Sequence, residues 1–358
     1  MRTRLRRRCA LLSLAVLLAA VPAGTAGAEA VAAPPPAYLF GPPERPTVVH
    51  VGFYLTDISD VDERDQSVEL EGDLSLRWQD PRMAFDAAAT GLSQKVYQGG
   101  FQFSELFDGW WPDLVLANGD RADESGSVLL KIDPDGSMTY LEKFTARIET
   151  PMALERFPFD EQRMRAYFEV FGFERDQVRL VPDPAAMRHA ERYLDVAGWS
   201  LLAVDADVED GEHANADGSV LDYHQFVVTF DLRRRPGFFV VTILIPLTLL
   251  VMLTWSVFWM HDDSISDRLN ITFIGILSVV AYQIIVHDLL PTISYFTLMD
   301  GFLTITLVGM ALGVVVNLTI DRLNRSGRRA LGDRVDAVCR WAFPLGFLAA
   351  NMLVYAIV

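Results

Sequence analysis

Cysteine is nearly absent: Cys9 and Cys339 are the two in 358 residues. Once Cys9 leaves with a cleaved leader, one thiol remains, and no intrachain disulfide can form even in an oxidising compartment. Histidine is also scarce, six in isolated contexts, so no metal-spaced His/Cys cluster stands out. Neither does a Gly-rich phosphate loop or a Ser/His/Asp nucleophile arrangement, which argues against an enzyme and against a bound cofactor. Positive charge is the minority, with 31 Lys and Arg against 47 Asp and Glu. The chain therefore lacks the basic face that nucleic-acid binding requires. The acidic excess instead raises the local concentration of cations around its exported part.

What is present is strongly organised. Arg2, Arg4, Arg6, Arg7 and Arg8 precede an apolar run from Ala10 to Ala20, and a small-residue site, Ala26-Gly27-Ala28, follows. This is the pattern of a secretory signal over residues 1–28; the alternative is an amino-terminal anchor, for which the run is short. Cleavage near Glu29 takes Lys plus Arg from 31 to 26 against 47 acidic residues, a net charge of −21. Residues 29–46, with Pro34-Pro35-Pro36, read as a flexible Pro-rich lead.

From 47 to 235 the patterning is that of an antiparallel β-sandwich. "VELEGDLSLRW" sets Val68, Leu70, Leu74, Leu76 and Trp78 against charged or small residues, the period of a half-buried strand. Pro134-Asp135-Gly136 marks a hairpin turn. "MRAYFEVF" puts Met164, Ala166, Phe168 and Val170 on one face and Arg165, Glu169 and Phe171 on the other. Helical periodicity is expected only in a short segment near Ser104–Phe107.

Four apolar runs fill the remainder, 236–358, as spans of about 238–260, 268–288, 301–321 and 341–358. Between the last two stand Arg322, Arg325, Arg328, Arg329, Arg334 and Arg340, whereas 287–300 holds no Lys or Arg. The positive-inside rule puts the Arg-rich segment in the cytoplasm and both mature termini outside. Arg233, Arg234 and Arg235 stand on the opposite side, just before the first span, and call for a separate explanation. The second run is interrupted by hydroxyl, amide and small residues, as in a helix with one face on water. Its stripe Asn270, Ile274, Leu277, Ala281, Ile284 and Asp288 advances in steps of four and three, which keeps one face toward a bundle axis. Asp267 lies one turn before it.

"WQDPRMAFD" (Trp78–Asp86), "WWPDLVLAN" (Trp110–Asn118) and "FPFDEQ" (Phe157–Gln162), with "WSVFWM", "RLNITFIGILSVVAYQIIVHDLLP" and "WAFPLGFLA" in the spans, resemble pentameric ligand-gated ion channels in order and spacing. Where animal members carry two bracketing cysteines, this chain has Thr150 and Met164. It therefore resembles the bacterial branch without the disulfide, and within that branch the channels gated by primary amines. The resemblance covers about residues 47–358 and implies an extracellular sandwich over four transmembrane helices, assembled as a homopentamer in the lipid bilayer of a bacterial inner membrane. It implies that Phe157, Pro158, Phe159 and Asp160 press on the link after the second span, with Arg234 as the partner of Asp160. A small amine agonist would bind between subunits at Glu169, Phe171 and Tyr223, with Tyr54 from the facing subunit; Phe53 beside it leaves that register open. The capping segment, about Val204 to Val220, lacks an aromatic, and Asp73 stands where the amine-gated channels have a tyrosine. Rings of Leu277 and Ile284 would gate by dewetting, and rings of Asp267 and Asp288 would favour monovalent cations, although Arg268 beside Asp267 opposes that. A non-conducting anchored sensor, and gating by protons or divalent cations, stay open as alternatives.

Overall fold

The computed structural model describes residues 41–121, 127–185, 188–189, 196–214, 220–260, 264–290 and 292–357. The expected signal and the start of the Pro-rich lead lie outside the described residues.

Among the described residues, twelve strands build the amino-terminal half: β1 (Thr47–Asp62), β2 (Ser67–Gln79), β3 (Lys95–Gln98), β4 (Leu114–Leu116), β5 (Gly119–Arg121), β6 (Val128–Ile132), β7 (Ser137–Glu149), β8 (Glu161–Val170), β9 (Val178–Pro182), β10 (Arg188–His189), β11 (Trp199–Ala214) and β12 (Val220–Arg234). They form two sheets. One runs β10-β1-β2-β7-β6-β3, with β5 paired to β7 and β9 to β1; the other runs β11-β12-β8-β4. Neighbours are antiparallel except that β9 and β10 lie parallel to β1. Alternate side chains of each strand enter one shared core. Val68, Leu70, Leu74, Leu76 and Trp78 are all buried, and Phe53 touches Phe144, Phe168 and Phe230 at centroid distances of 5.8, 6.2 and 6.1 Å.

The sequence motifs have local jobs in this core. Asp80 is fully buried; its carboxylate accepts from Arg82 N (3.0 Å), Nε (2.9 Å) and Nη2 (2.8 Å), capping the one-turn helix Pro81–Met83. Trp110 packs edge-on against Trp78 at 6.2 Å and Phe173 at 5.9 Å. Asn118 clips β7 to β8: its Nδ2 donates to the Glu149 and Arg165 carbonyls (2.9 and 2.8 Å), and its Oδ1 accepts from Tyr167 N at 3.0 Å. At the β6–β7 turn Gly136 has φ +84°, and a Cβ there would lie 2.4 Å from the Asp80 carbonyl oxygen, so only glycine fits. Gly99–Leu106 is a helix of eight residues, earlier and longer than the expected Ser104–Phe107 segment. Its two leading glycines hide the periodicity that would announce it.

β12 runs through Arg234, and after Arg235 and Pro236 the first of four long helices among the described residues begins. These are Gly237–Trp259, Ile265–Leu289, Leu298–Arg325 and Arg329–Ile357, each long and apolar enough to cross a membrane. The first contains a π-turn, Val240–Leu244, ending two residues before Pro246, whose missing N–H interrupts the ordinary ladder. The second starts at a Ser264 cap, and the third at a Thr297/Asp300 capping box. The third and fourth helices extend beyond the expected apolar runs. Most of the expected Arg-rich link is therefore helical, leaving only residues 326–328 between them.

Candidate functional site

Three regions carry the expected site residues. The first is the junction of sandwich and helices. Arg234, at the end of β12, is 4% exposed. Its Nε donates to Asp160 Oδ1 at 2.7 Å and its Nη2 to Asp160 Oδ2 at 3.2 Å, and Nη1 pairs with Glu63 in the β1–β2 turn. The guanidinium also lies over three rings: Trp199 at 4.1 Å, Phe157 at 4.9 Å and Phe239 at 5.7 Å. Two carboxylates and three aromatic faces thus enclose one cation. Asp160 is itself fixed: Gln162 Nε2 donates to its Oδ2 at 2.5 Å, while the same amide spans the backbone of Ala153 with bonds of 2.9 and 2.7 Å.

The loop around Asp160 reaches the helices. Phe157 and Pro158 are buried, with Phe157 edge-on to Phe239 of the first helix at 4.7 Å; Phe159 is exposed. Tyr295, in the link between the second and third helices, donates from its hydroxyl to the Met152 carbonyl and accepts from Leu154 N, each at 3.1 Å. Leu298 N donates to the Glu155 carbonyl at 2.7 Å. One loop of the sandwich is therefore hydrogen-bonded to the link and packed on the first helix.

The second region is the second long helix. Asp267, Asn270, Ile274, Leu277, Ala281, Ile284 and Asp288 are all exposed in the single chain, Leu277 at 72%. The opposite face is buried in the bundle at Arg268, Thr272, Gly275, Val279 and Val286. Arg268 points away from the exposed stripe. Its Nη1 bonds both Asp336 carboxylate oxygens (3.1 and 3.3 Å), and its Nη2 bonds Asp336 Oδ2 (3.3 Å) and the Met260 carbonyl (2.5 Å). The Asp267 carboxylate accepts from Ser264 Oγ at 2.6 Å.

The third region is the outer face of the β8–β12 sheet. Gln225 lies opposite Glu169. Its amide donates to Glu169 Oε2 at 3.5 Å and to Tyr223 Oη at 3.3 Å. Burial first, and the Glu169 carboxylate second, push the Tyr223 phenol above its ordinary range, so the ring stays neutral. The ring crosses Gly211 on β11, where a Cβ would lie 2.8 Å from it. Phe171 is exposed just beyond β8. Tyr54 is on the other sheet, opposite Asp73, and partly exposed, whereas Phe53 is in the core. Within one chain, then, Glu169 and Tyr223 come together and Tyr54 stands apart. The expected capping loop is β11 strand as far as Ala214, and its tip, 215–219, lies outside the described residues. A carboxylate beside a neutral phenol offers acceptors suited to an ammonium group.

Glu63, Trp199, Gln162, Tyr295 and Asp336 were not singled out from sequence. Glu63 is one carboxylate among several in a polar turn, and Asp336 sits in an Arg-rich stretch; their partners are distant in the chain. The junction makes a stability ranking. Asp160→Asn strips a buried guanidinium of its bidentate partner, an expected cost of about 3–5 kcal/mol. Glu63→Gln, at a partly exposed carboxylate, is expected to cost about 1 kcal/mol. Denaturant unfolding of the purified protein checks the order, and the reverse ranking contradicts it.

Residues 40–236 match the family described as the neurotransmitter-gated ion-channel ligand binding domain, and residues 243–330 match the neurotransmitter-gated ion-channel transmembrane region. The chain is 26% identical over 332 residues to a proton-gated ion channel of Gloeobacter violaceus, covering 91% of this chain and 86% of that one. It is 25% identical over 284 residues to the gamma-aminobutyric acid receptor subunit gamma-4 of Gallus gallus, covering 78% of this chain and 60% of the relative. With the gamma-1 subunit of Homo sapiens it shares 24% identity over 297 residues, 81% of this chain and 61% of the relative. It thus spans about three fifths of these animal subunits. A sandwich matched to the ligand-binding part, joined to membrane-length helices of which the first three are spanned by the match to the transmembrane part, identifies a ligand-gated ion channel rather than an enzyme: the chain belongs to the neurotransmitter-gated ion-channel family.

Proposed function

We propose that five copies surround a cation-conducting pore in a bacterial inner membrane, with both mature termini on the periplasmic side, opened by a small amine bound between subunits. The observation that carries this reading is the second long helix. It packs one face into its own bundle and leaves Asn270, Ile274, Leu277, Ala281, Ile284 and Asp288 exposed along the other. A lipid-facing helix has no use for Asn270 and Asp288 on such a face; a ring of five such faces lines an aqueous path with polar mouths and apolar constrictions at Leu277 and Ile284. Cation selectivity is supported by the charges that reach this face: Asp267 and Asp288 are exposed, while Arg268 is turned to Asp336.

Agonist recognition rests on Glu169 and Tyr223, with Phe171 beside them and Tyr54 supplied by the next subunit. The ammonium of the ligand would pair with the carboxylate and lie against the rings. Opening passes from β8 and β12 to the Phe157–Asp160 loop and Arg234, and from there to the link held by Tyr295. Gating by protons is the second reading, favoured by the name of the Gloeobacter relative.

Current across membranes containing the purified protein, under a sodium chloride gradient, tests both. Propylamine applied outside is expected to evoke a current reversing near the sodium potential. Glu169→Gln is expected to raise its half-maximal concentration on the order of tenfold, the loss of one charged contact. Current evoked by acid and not by propylamine would replace the amine with a proton. Leu277→Ser is expected to conduct without agonist, because a hydroxyl ring wets the constriction. A chain that only anchors a sensor would carry no current in either form.

A further inference from the structure

From the geometry at the base of the second long helix we infer that Asp336, on the fourth helix and remote from the pore face, is a selectivity-determining residue: it holds Arg268 off the inner mouth. This rests on the cation-selective reading above. By helical spacing of about 100° per residue, Arg268 sits about 150° from the centre of the exposed stripe. It is nonetheless adjacent to Asp267, at the mouth itself. The Arg side chain is long enough to reach either the bundle or the water-filled entrance, so what binds its head decides which.

That head is held from two sides. Asp336 takes three hydrogen bonds of 3.1–3.3 Å, the Met260 carbonyl takes a fourth of 2.5 Å, and both charged residues are 8% exposed. Among the described residues, Asp336 is the one carboxylate paired with Arg268. One turn on, Arg340 Nε donates to the Phe258 carbonyl at 2.8 Å, so the fourth helix also grips the end of the first and stays in register with Arg268. Without Asp336 the guanidinium would be a buried charge with a single carbonyl for company, which is too costly to persist. Water at the inner mouth is the nearest alternative. In a ring of subunits, five arginines would then stand beside the five Asp267 carboxylates and cancel their field.

Reversal potential under a sodium chloride gradient is the measurement, on wild type, Asp336→Asn and the double variant Arg268→Gln/Asp336→Asn in reconstituted bilayers. A wild-type channel reversing near the chloride potential would overturn the cation-selective reading itself, whatever the variants do. With a cation-selective wild type, Asp336→Asn is expected to lower the sodium-over-chloride permeability ratio on the order of tenfold, and the double variant to restore it. A purely structural contact would alter the amount of current and not its reversal, so an unchanged ratio in Asp336→Asn overturns the inference. If Asp336→Asn carries no current, the double variant decides. Conduction with wild-type selectivity supports the inference, because the defect then lies in the freed charge; silence in both assigns Asp336 to assembly alone and overturns it.

Discussion

A guanidinium buried at the boundary between two folded halves must have its charge satisfied on the spot, and much of this protein is arranged around that requirement. Arg234 is the last residue of β12, three residues before the helical part. Asp160 meets it bidentately, Glu63 takes the remaining nitrogen, and Trp199, Phe157 and Phe239 offer ring faces. These five partners come from four segments: the loop before β8, the β1–β2 turn, the start of β11 and the first long helix. A cation in low dielectric binds such a shell tightly as a set and tolerates poorly the loss of its buried, bidentate carboxylate. The apolar Phe-Pro-Phe segment is explained here, since Phe157 covers the charge on one side and packs on Phe239 on the other.

The same loop carries the hydrogen bonds to Tyr295 and Leu298. A displacement of β8 or β12 therefore has two routes into the membrane part, through Arg234 into the first helix and through Tyr295 into the link before the third. Glu169 and Tyr223 lie on those same two strands, toward their other ends. At the far side of the helices the Arg268–Asp336 pair repeats the device at the proposed inner mouth of the pore: a buried guanidinium ties together elements that lie far apart in sequence.

Much of this was legible without coordinates. Period-two alternation from Val68 to Trp78 marks a strand whichever sheet it joins, and the four apolar runs mark helices by length alone. The facing of Tyr54 was also within reach: Val49, Val51, Phe53 and Leu55 share one parity and are all buried, which turns Tyr54 outward. Helix ends were less legible, because Arg322, Arg325, Arg329 and Arg334 are good helix formers and carry the helices past the apolar windows. The partners of the buried arginines were least legible. Glu63 is 171 positions from Arg234, and Asp336 is 68 from Arg268; a carboxylate in a charged stretch carries no local sign that it faces inward.

The central claim is that the Asp160–Arg234 pair passes agonist-driven motion to the pore rather than only joining two domains. A double-mutant cycle on activation tests it most directly, with half-maximal agonist concentration measured for wild type, Asp160→Asn, Arg234→Gln and the double variant. Transmission through the pair predicts a coupling energy of about 1–3 kcal/mol, the double variant being little worse than either single one. Shifts that add to within about 0.5 kcal/mol would contradict it.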